Sequence, residues 1–337
     1  MPQDIVKQYK EIMQQYIDRP NEEALYMGQK FSRKFIGQEI SPEEVISIHK
    51  IALSELYPNI SEEFVNSFDY LIEMMIHYGL ALREHQSLIR RQAEIQMEIS
   101  VAVKVQSTLL KTKIPDVKEL DIGFITEPAK KMSGDYIYFL HDNCYETSVA
   151  VADVMGKGIP AALCMSMIKF GIDSLRNEDT SPQNVLDIVN RIVEKSVDDT
   201  MFISMFYGKY DARDASFTYG SAGHEPALLY KASTGTFTEL GAKGLLLGIQ
   251  ADVIYEEKSV VLEEGDFIAI MTDGVTEVRT DAGFIEATVI ESTLLDVKDE
   301  SAQMIADTMY NKFAGMQDFH LQDDFTIVIF KKGNKMV

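Results

Sequence analysis

Apolar residues recur at helical spacing in the first quarter of the chain. The pattern runs from Ile5 to about Arg83 and is interrupted at three places that each contain a proline: Pro20, Pro42 and Pro58. About four short helices are therefore predicted, and Ser41-Pro42-Glu43-Glu44 has the form of a capping box at the start of one of them. We interpret residues 1–83 as a helical partner-binding or dimerisation domain, because they contain no cluster of metal-ligand residues and no glycine-rich loop.

The next segment, residues 84–113, contains neither proline nor glycine, which predicts one long helix linking two domains. A seven-residue repeat follows this helix, as at the d positions of a coiled coil: Leu88, Ile95, Ala102 and Leu109. The corresponding a positions are mostly polar: His85, Gln92, Ile99 and Gln106. Two interpretations stay open, a marginal and switchable dimer seam or a helix that lies on one domain without a partner helix.

From residue 114 onward the pattern changes to short apolar and β-branched runs separated by Gly, Asp and Asn. Seven runs predict strands: Asp121–Ile125, Ser148–Val154, Met201–Asp211, Ala215–Gly220, Ala227–Tyr230, Asp266–Met271 and Phe325–Phe330. Longer helical stretches lie between them: Ala161–Leu175, Pro182–Val197 and Ala302–Ala314. This order indicates an α+β fold in residues 114–337, a two-sheet β-sandwich flanked by helices rather than a parallel βαβ sheet.

The composition of the 337-residue chain is that of a folded, acidic protein. Apolar residues make up 46% of it, and its length suggests two domains. A formal charge of -21 argues against broad binding to nucleic acid or to an anionic membrane, since both depend on basic surfaces. Only Cys144 and Cys164 are present, no secretory signal pattern is found, and no apolar run approaches the ~20 residues that span a bilayer. These features predict a cytoplasmic protein.

Four short motifs place aspartates beside small or flexible residues, and two of these aspartates follow an apolar strand. The motifs are Ser133-Gly134-Asp135, Asp153-Val154-Met155-Gly156-Lys157-Gly158, Thr272-Asp273-Gly274 and Asp323-Asp324-Phe325-Thr326. A carboxylate at the end of a buried strand costs several kcal/mol unless a cation or hydrogen bonds compensate it. Converging carboxylates without His or Cys favour hard cations such as Mg²⁺ or Mn²⁺. Taken singly, each motif is also typical of an ordinary turn.

Together, in this order and spacing, the motifs resemble the metal-dependent serine/threonine phosphatases of the PPM family, in the bacterial branch typified by the stage II sporulation phosphatase. The resemblance covers residues 114–332 and includes Ser-Ala-Gly-His-Glu-Pro at Ser221–Pro226. It implies a PPM-type sandwich with two Mn²⁺ or Mg²⁺ ions that activate water for direct attack on a phosphoester, without a phosphoenzyme. Neither cysteine lies in the Cys-x5-Arg loop of the cysteine-dependent phosphatases.

The resemblance also implies roles for individual residues. Asp153 would bridge the two metals, and the backbone carbonyl of Val154 would be a further ligand. Asp135, Asp273 and Asp323 would complete the metal shell. The side chains expected to be catalytic are Asp153, Asp135 and Asp273.

Several neighbouring residues have more than one interpretation. The family's last motif is Asp-Asn, so Asp324 stands in place of an asparagine. Which of Asp323 and Asp324 would bind the metal directly is open. Lys130 and Lys131 would either neutralise a phosphate or be simply solvated, and they are left out of the predicted site. His224 would either donate a proton or hydrogen bond near the leaving group, or close a tight turn.

The whole chain resembles the RsbU-type phosphatases of the bacterial general stress response. Three stretches carry this likeness: Gln29–Lys34, Ile46–Lys50 and Ala161–Lys169. It implies a homodimer whose N-terminal domain binds a kinase-like, RsbT-like activator. The implied substrate is a phosphoserine on an anti-sigma-factor antagonist, whose dephosphorylation frees the stress sigma factor. We hypothesise that the activator stabilises the linker helix, which then presses on the segment after Gly156 and completes the metal site.

Two other functions stay open from the residues alone. A degenerate phosphatase domain would make the chain a non-catalytic signalling adaptor, although the aspartate set is complete. A metal-dependent nuclease or nucleotidyl transferase also uses paired aspartates, but the sequence shows no basic groove.

Overall fold

A computed structural model of the chain describes residues 3–141, 145–156, 158–175, 180–196, 201–280 and 283–333. Cys144 and Lys157, the latter in the Gly-Lys-Gly motif, lie outside these residues. The chain divides into two compact units, Met1–Glu98 and Ile99–Val337. The domain limits at 83/84 and 113/114 stay predictions of the sequence.

The first unit contains helices α1 (Gln3–Asp18), α2 (Glu22–Gly37), α3 (Pro42–Leu56) and most of α4 (Glu62–Leu109). Its small core is built on three buried side chains: Ile5, Phe35 and Ile48. The predicted capping box is present at the start of α3, where the Glu44 carboxylate accepts a hydrogen bond from the Ser41 backbone N–H at 2.8 Å. This bond satisfies a backbone donor that the first turn of the helix leaves without a partner.

Helix α4 extends over 48 residues because no proline interrupts the chain between Pro58 and Pro115. The fourth short helix and the linker helix that the sequence predicts are therefore one continuous element. Its last turns, from Ile99 to Leu109, belong to the second unit. Within the described residues, no helix combines the length and the apolarity needed to cross a membrane.

Two five-stranded antiparallel sheets form the framework of the second unit. The first contains, in spatial order, β1 (Leu120–Glu127), β12 (Phe325–Lys332), β9 (Phe267–Met271), β6 (Ala227–Lys231) and β7 (Thr236–Leu240). The second contains β2 (Asp135–His141), β3 (Glu146–Val154), β4 (Ile203–Asp211), β5 (Ser216–Ala222) and β8 (Glu257–Val261). A separate short hairpin pairs β10 (Arg279–Thr280) with β11 (Gly283–Phe284).

The inner faces of the two sheets share one apolar core. On β3, Val149 and Val151 lie in the core between the sheets, whereas Ala150 and Ala152 lie on the opposite face of the same strand. Strand β12 alternates in the same way between the inner core and the outer face. Both sheets are therefore buried on two sides, which is why these strands read as nearly continuous apolar runs.

Helices cover the outer faces of both sheets. α5 (Ile159–Ser174) and α6 (Pro182–Ser196) pack on the sheet that contains β3, while α8 (Ala287–Asp296) and α9 (Ala302–Gly315) pack on the sheet that contains β12. The second unit thus has a layer order of helices, sheet, sheet and helices. This arrangement confirms the predicted α+β sandwich.

The seven predicted strands are all present, with ends that shift by a few residues. The sequence did not predict β2, β7, β8, the short hairpin or α8. Strand β2 is buried at every position but its last, so it lacks the polar alternation typical of a half-exposed strand. Strand β8 is mostly exposed at the edge of its sheet and carries polar residues that favour a loop equally well.

Candidate active site

The predicted aspartates lie where strands of both sheets begin or end. Asp135 begins β2, and Asp153 is the second-last residue of β3. Asp273 begins the short helix α7 (Asp273–Thr276) just after β9, and Asp323 lies just before β12. In an antiparallel pair the end of one strand is beside the start of the next, so each sheet brings two of these aspartates together.

In one sheet, Asp135 and Asp153 are direct cross-strand partners. The Val154 N–H donates a hydrogen bond to the Gly134 carbonyl at 3.0 Å, which holds the two strands together at this end. A Cβ at Gly134 would lie 3.2 Å from the Val154 carbonyl oxygen and 3.4 Å from Asp153 Oδ1. Glycine therefore permits the close approach of two groups that the sequence predicts as metal ligands, the Val154 carbonyl and the Asp153 carboxylate.

Thr272 connects the two sheets at this end. Its Oγ1 donates a hydrogen bond to Asp135 Oδ2 at 2.8 Å and accepts one from the Thr326 N–H at 3.2 Å. Because Thr272 directly precedes Asp273, the same contacts fix the backbone that carries this aspartate. Thr272 belongs to the Thr-Asp-Gly motif, but the sequence alone assigns it no role.

The Asp135 carboxyl is 6% exposed and lies among like charges. Burial raises the pKa of Asp135 well above its usual value, and the charges of Asp153 and Asp324 raise it further. Hydrogen bonds from Thr326 and Thr272 oppose this increase. A divalent cation at this position would offset both the burial of the carboxylate and the repulsion between carboxylates.

Asp135, Asp153, Asp273, Asp323 and the Val154 carbonyl fit a hard divalent cation by their chemistry, since all of them offer oxygen. In the part of the chain that the structure describes, however, no three or more His, Cys, Asp or Glu side chains already stand in an arrangement that would hold a metal ion. The strands nevertheless bring the backbones of Asp135 and Asp153 directly opposite each other.

Asp324 differs from the other aspartates because both of its carboxylate oxygens accept hydrogen bonds from the loop before β2. Oδ1 accepts from the Ala129 N–H at 2.7 Å, and Oδ2 accepts from the Ser133 hydroxyl at 3.2 Å and from the Gly134 N–H. Its side chain is 2% exposed. Asp323, in contrast, is exposed to solvent and lines a cavity. Asp324 therefore orders the loop before β2, and Asp323 as the direct metal ligand stays a prediction of the sequence.

The cavity beside Asp323 is polar and has a volume of about 170 Å³. Asp273 lines it as well. A Cβ at Gly274 would lie 2.0 Å from the Asp324 carbonyl oxygen, so the glycine lets α7 approach the start of β12. Arg279 also lines this cavity and has no counterpart in the sequence-based site.

His224 contacts Ser204 on β4 and the backbone of Met271 at the end of β9. Its Nδ1 lies 2.7 Å from Ser204 Oγ, and Ser204 is the cross-strand partner of Asp153. Burial lowers the pKa of His224 to about 4, and a backbone hydrogen bond with Met271 opposes this shift only in part. The ring is therefore neutral at pH 7, and its 8% exposure supports a hydrogen-bonding role rather than proton donation to a leaving group.

Replacing His224 by glutamine is expected to remove a pH-dependent part of the stability. The pKa of His224 is about 4 in the folded chain against 6.5 as its ordinary value, so the unfolded state binds more protons between these two pH values. The wild-type chain therefore loses stability as the pH falls, by about 2 kcal/mol from this residue between pH 7 and pH 5. Urea unfolding of both proteins without metal at the two pH values measures the difference, and an identical pH dependence would contradict the lowered pKa.

The last turns of α4 contact the loop that carries Asp135. Gln106 donates from Nε2 to the Ser133 carbonyl at 3.1 Å, and its side chain is 8% exposed. A cavity of about 300 Å³ between these turns and the loop is lined by Gln106, Lys131, Ser133 and Asp135. The heptad pattern assigns Gln106 to a coiled-coil seam, whereas the structure buries it within the second unit, where it is largely inaccessible to a partner helix.

The two packed sheets with helices on both outer faces define the PP2C class of phosphatase fold. The SiaA-PP2C domain of Pseudomonas aeruginosa superposes with a TM-score of 0.60 at 18% sequence identity, over 72% of this chain and 98% of that domain. The structure of RsbX in complex with magnesium superposes with a TM-score of 0.51 at 18% identity, over 66% of this chain and 99% of that one. At these identities the similarity shows the fold alone.

Two family models match the sequence. Stage II sporulation protein E (SpoIIE) matches residues 145–332, and the N-terminal domain of phosphoserine phosphatase RsbU matches residues 7–81. Phosphoserine phosphatase RsbU of Bacillus subtilis (strain 168) is 48% identical over 328 residues, which cover 97% of this chain and 98% of that protein. The chain belongs to the RsbU family of SpoIIE-type phosphatases, and this membership confirms the resemblance drawn from the motifs.

Proposed function

We propose that the chain is a Mn²⁺- or Mg²⁺-dependent protein phosphatase that hydrolyses a phosphoserine on an anti-sigma-factor antagonist. The observation that carries the proposal is the cross-strand pairing of Asp135 with Asp153, together with the hydrogen bond from Thr272 to Asp135. These contacts bring three of the four aspartate motifs to one end of the two sheets. The similarity to phosphoserine phosphatase RsbU supports phosphoserine as the substrate and the general stress response as the setting.

Two ions are proposed, held by Asp135, Asp153, Asp273, Asp323 and the Val154 carbonyl. Bound ions would polarise the phosphoryl oxygens and make water a better nucleophile at neutral pH. The magnesium in the RsbX structure supports this choice of metal. Two contacts within the chain hold the proposed ligands in place. Thr272 orients the Asp135 carboxylate by its hydrogen bond, and Asp324 fixes the loop that leads into β2.

We infer that a kinase-like activator controls the activity by binding the helical N-terminal region, and that the chain acts as a homodimer. The match of residues 7–81 to the RsbU N-terminal domain supports a regulatory role for this region. Within the second unit, Gln106 offers a route for control, because its hydrogen bond reaches Ser133 two residues before Asp135. A shift in the last turns of α4 would break or form the hydrogen bond between Gln106 and Ser133. The activator would act by favouring one of these two positions of the helix.

Phosphate release from a phosphoserine antagonist protein tests the proposal, with the full chain, Mn²⁺ and a kinase-like activator. Release is expected to depend on Mn²⁺, to stop on addition of EDTA and to rise roughly 5- to 150-fold with activator, the usual range of coupling between two sites. A chain that binds the antagonist but releases no phosphate under any of these conditions would be a non-catalytic adaptor. Cleavage of nucleic acid by the same preparation would favour the nuclease instead.

A further inference from the structure

The cavity beside Asp273 and Asp323 is lined by one basic side chain, that of Arg279, among several acidic ones. Of the described residues that line it, Asp273, Glu277 and Asp323 are acidic, two are glutamines, and Arg279 alone is basic. Carboxylates at this density repel a phosphate group, which carries up to two negative charges. An anion that enters this cavity therefore needs positive charge, and Arg279 is in position to supply it in addition to the proposed metal ions.

The short hairpin of β10 and β11 fixes the position of Arg279. Arg279 is the cross-strand partner of Phe284, and its guanidinium lies 5.2 Å from the centre of the Phe284 ring. The hairpin is attached to the core at its base, where the Ile285 N–H donates to the carbonyl of the buried Val278 at 2.9 Å. Among the described residues, no carboxylate lies within ion-pair distance of Arg279, and Arg279 is exposed to solvent where it lines the cavity.

We propose that Arg279 binds the phosphoryl group of the phosphoserine substrate. A guanidinium presents paired N–H donors that match two phosphoryl oxygens, which the single ammonium of a lysine does not. Because the cavity shares Asp273 and Asp323 with the proposed metal site, a phosphate held by Arg279 lies beside the side chains that would hold the ions. The inference rests on the proposed function, since it names the residue that holds the substrate of that reaction.

Steady-state kinetics of Arg279→Ala and Arg279→Lys in Mn²⁺ test the inference, with p-nitrophenyl phosphate and a phosphoserine peptide as substrates and inorganic phosphate as a competitive inhibitor. In Arg279→Ala, KM for both substrates and the inhibition constant of phosphate should rise roughly 10- to 100-fold, the usual effect of losing charged hydrogen bonds. The turnover number should change less, because Arg279 would contact the phosphoryl group both in the bound substrate and in the transition state. Arg279→Lys keeps the positive charge but loses the paired N–H donors of the guanidinium, so KM and the phosphate inhibition constant should rise less than in Arg279→Ala.

Arg191→Ala is the matched control. It removes the same charge from α6, where Arg191 pairs with Asp187 on the surface, and should leave both constants unchanged. Phe284→Leu removes the ring under the guanidinium and should raise the phosphate inhibition constant, though less than Arg279→Ala.

The outcomes separate this inference from the proposed function. If the wild type hydrolyses both substrates and Arg279→Ala retains normal phosphate inhibition, the inference is wrong and the proposed function stands. A lower turnover number with unchanged phosphate inhibition also contradicts it, because Arg279 would then act only on the structure of the site. If the wild type hydrolyses neither substrate even with the kinase-like activator present, the proposed function itself fails. Thermal unfolding confirms that each variant is folded, and Arg279→Lys keeps the test valid should the alanine variant not fold.

Discussion

Replacing Asp153 by asparagine is expected to abolish Mn²⁺-dependent phosphate release while leaving the metal-free chain at least as stable as the wild type. Asp153 faces Asp135 across β2 and β3, and its charge contributes to the raised pKa of Asp135. Without metal the two carboxylates repel each other, so the variant should gain up to about 1 kcal/mol in free energy of unfolding. With metal, turnover should fall at least roughly 100- to 1000-fold, since several kcal/mol of transition-state stabilisation are lost.

Phosphate release and urea unfolding, each with and without Mn²⁺, measure both effects. Mn²⁺ should stabilise the wild type by mass action and the variant much less, because a ligand stabilises only the state that binds it. Asp299→Asn is the matched control, since the Asp299 side chain is 89% exposed and pairs with the neighbouring Lys298. Normal turnover in Asp153→Asn would contradict the proposed metal site.

The sequence predicts the aspartates of the site because each belongs to a local pattern. A buried run ends in Asp153 on β3, and another ends just before Asp273 after β9. A carboxylate that follows such a run lies at the end of a buried strand, whatever the rest of the fold. Glycine beside an aspartate, as at Gly134 and Gly274, adds the signal of a close backbone approach, and the structure shows such an approach at both positions.

The remaining contacts of the site depend on how distant segments meet, which no local pattern contains. The hydrogen bond from Thr272 to Asp135 joins residues 137 positions apart and requires both sheets to be assembled. Arg279 lies in a hairpin with two residues in each strand, too short for any alternation to appear. Gln106 shows the limit most clearly, because a polar residue at a heptad position looks the same whether it meets a partner helix or its own domain.

Asp324→Asn is expected to destabilise the chain, the opposite of the effect expected at Asp153. The two oxygens of the Asp324 carboxylate accept hydrogen bonds from Ala129 N–H on one side and from Ser133 and Gly134 on the other. An amide has only one oxygen, so its NH₂ group must face either the Ala129 or the Gly134 N–H and leave that buried donor without an acceptor. Loss of such bonds to a charged group should lower the free energy of unfolding by about 2–3 kcal/mol.

The same substitution should weaken metal binding, because Asp324 orders the loop that ends at Asp135. Residues that orient a metal ligand usually change metal affinity roughly 10- to 100-fold, so half-maximal activation should need that much more Mn²⁺. Asp323→Asn makes the same charge change one residue earlier, at a side chain that is exposed rather than buried. It should reduce activity with a much smaller loss of stability, since no buried donor loses its partner in the loop before β2. Equal stability losses in the two variants would contradict the separate roles assigned to these neighbouring aspartates.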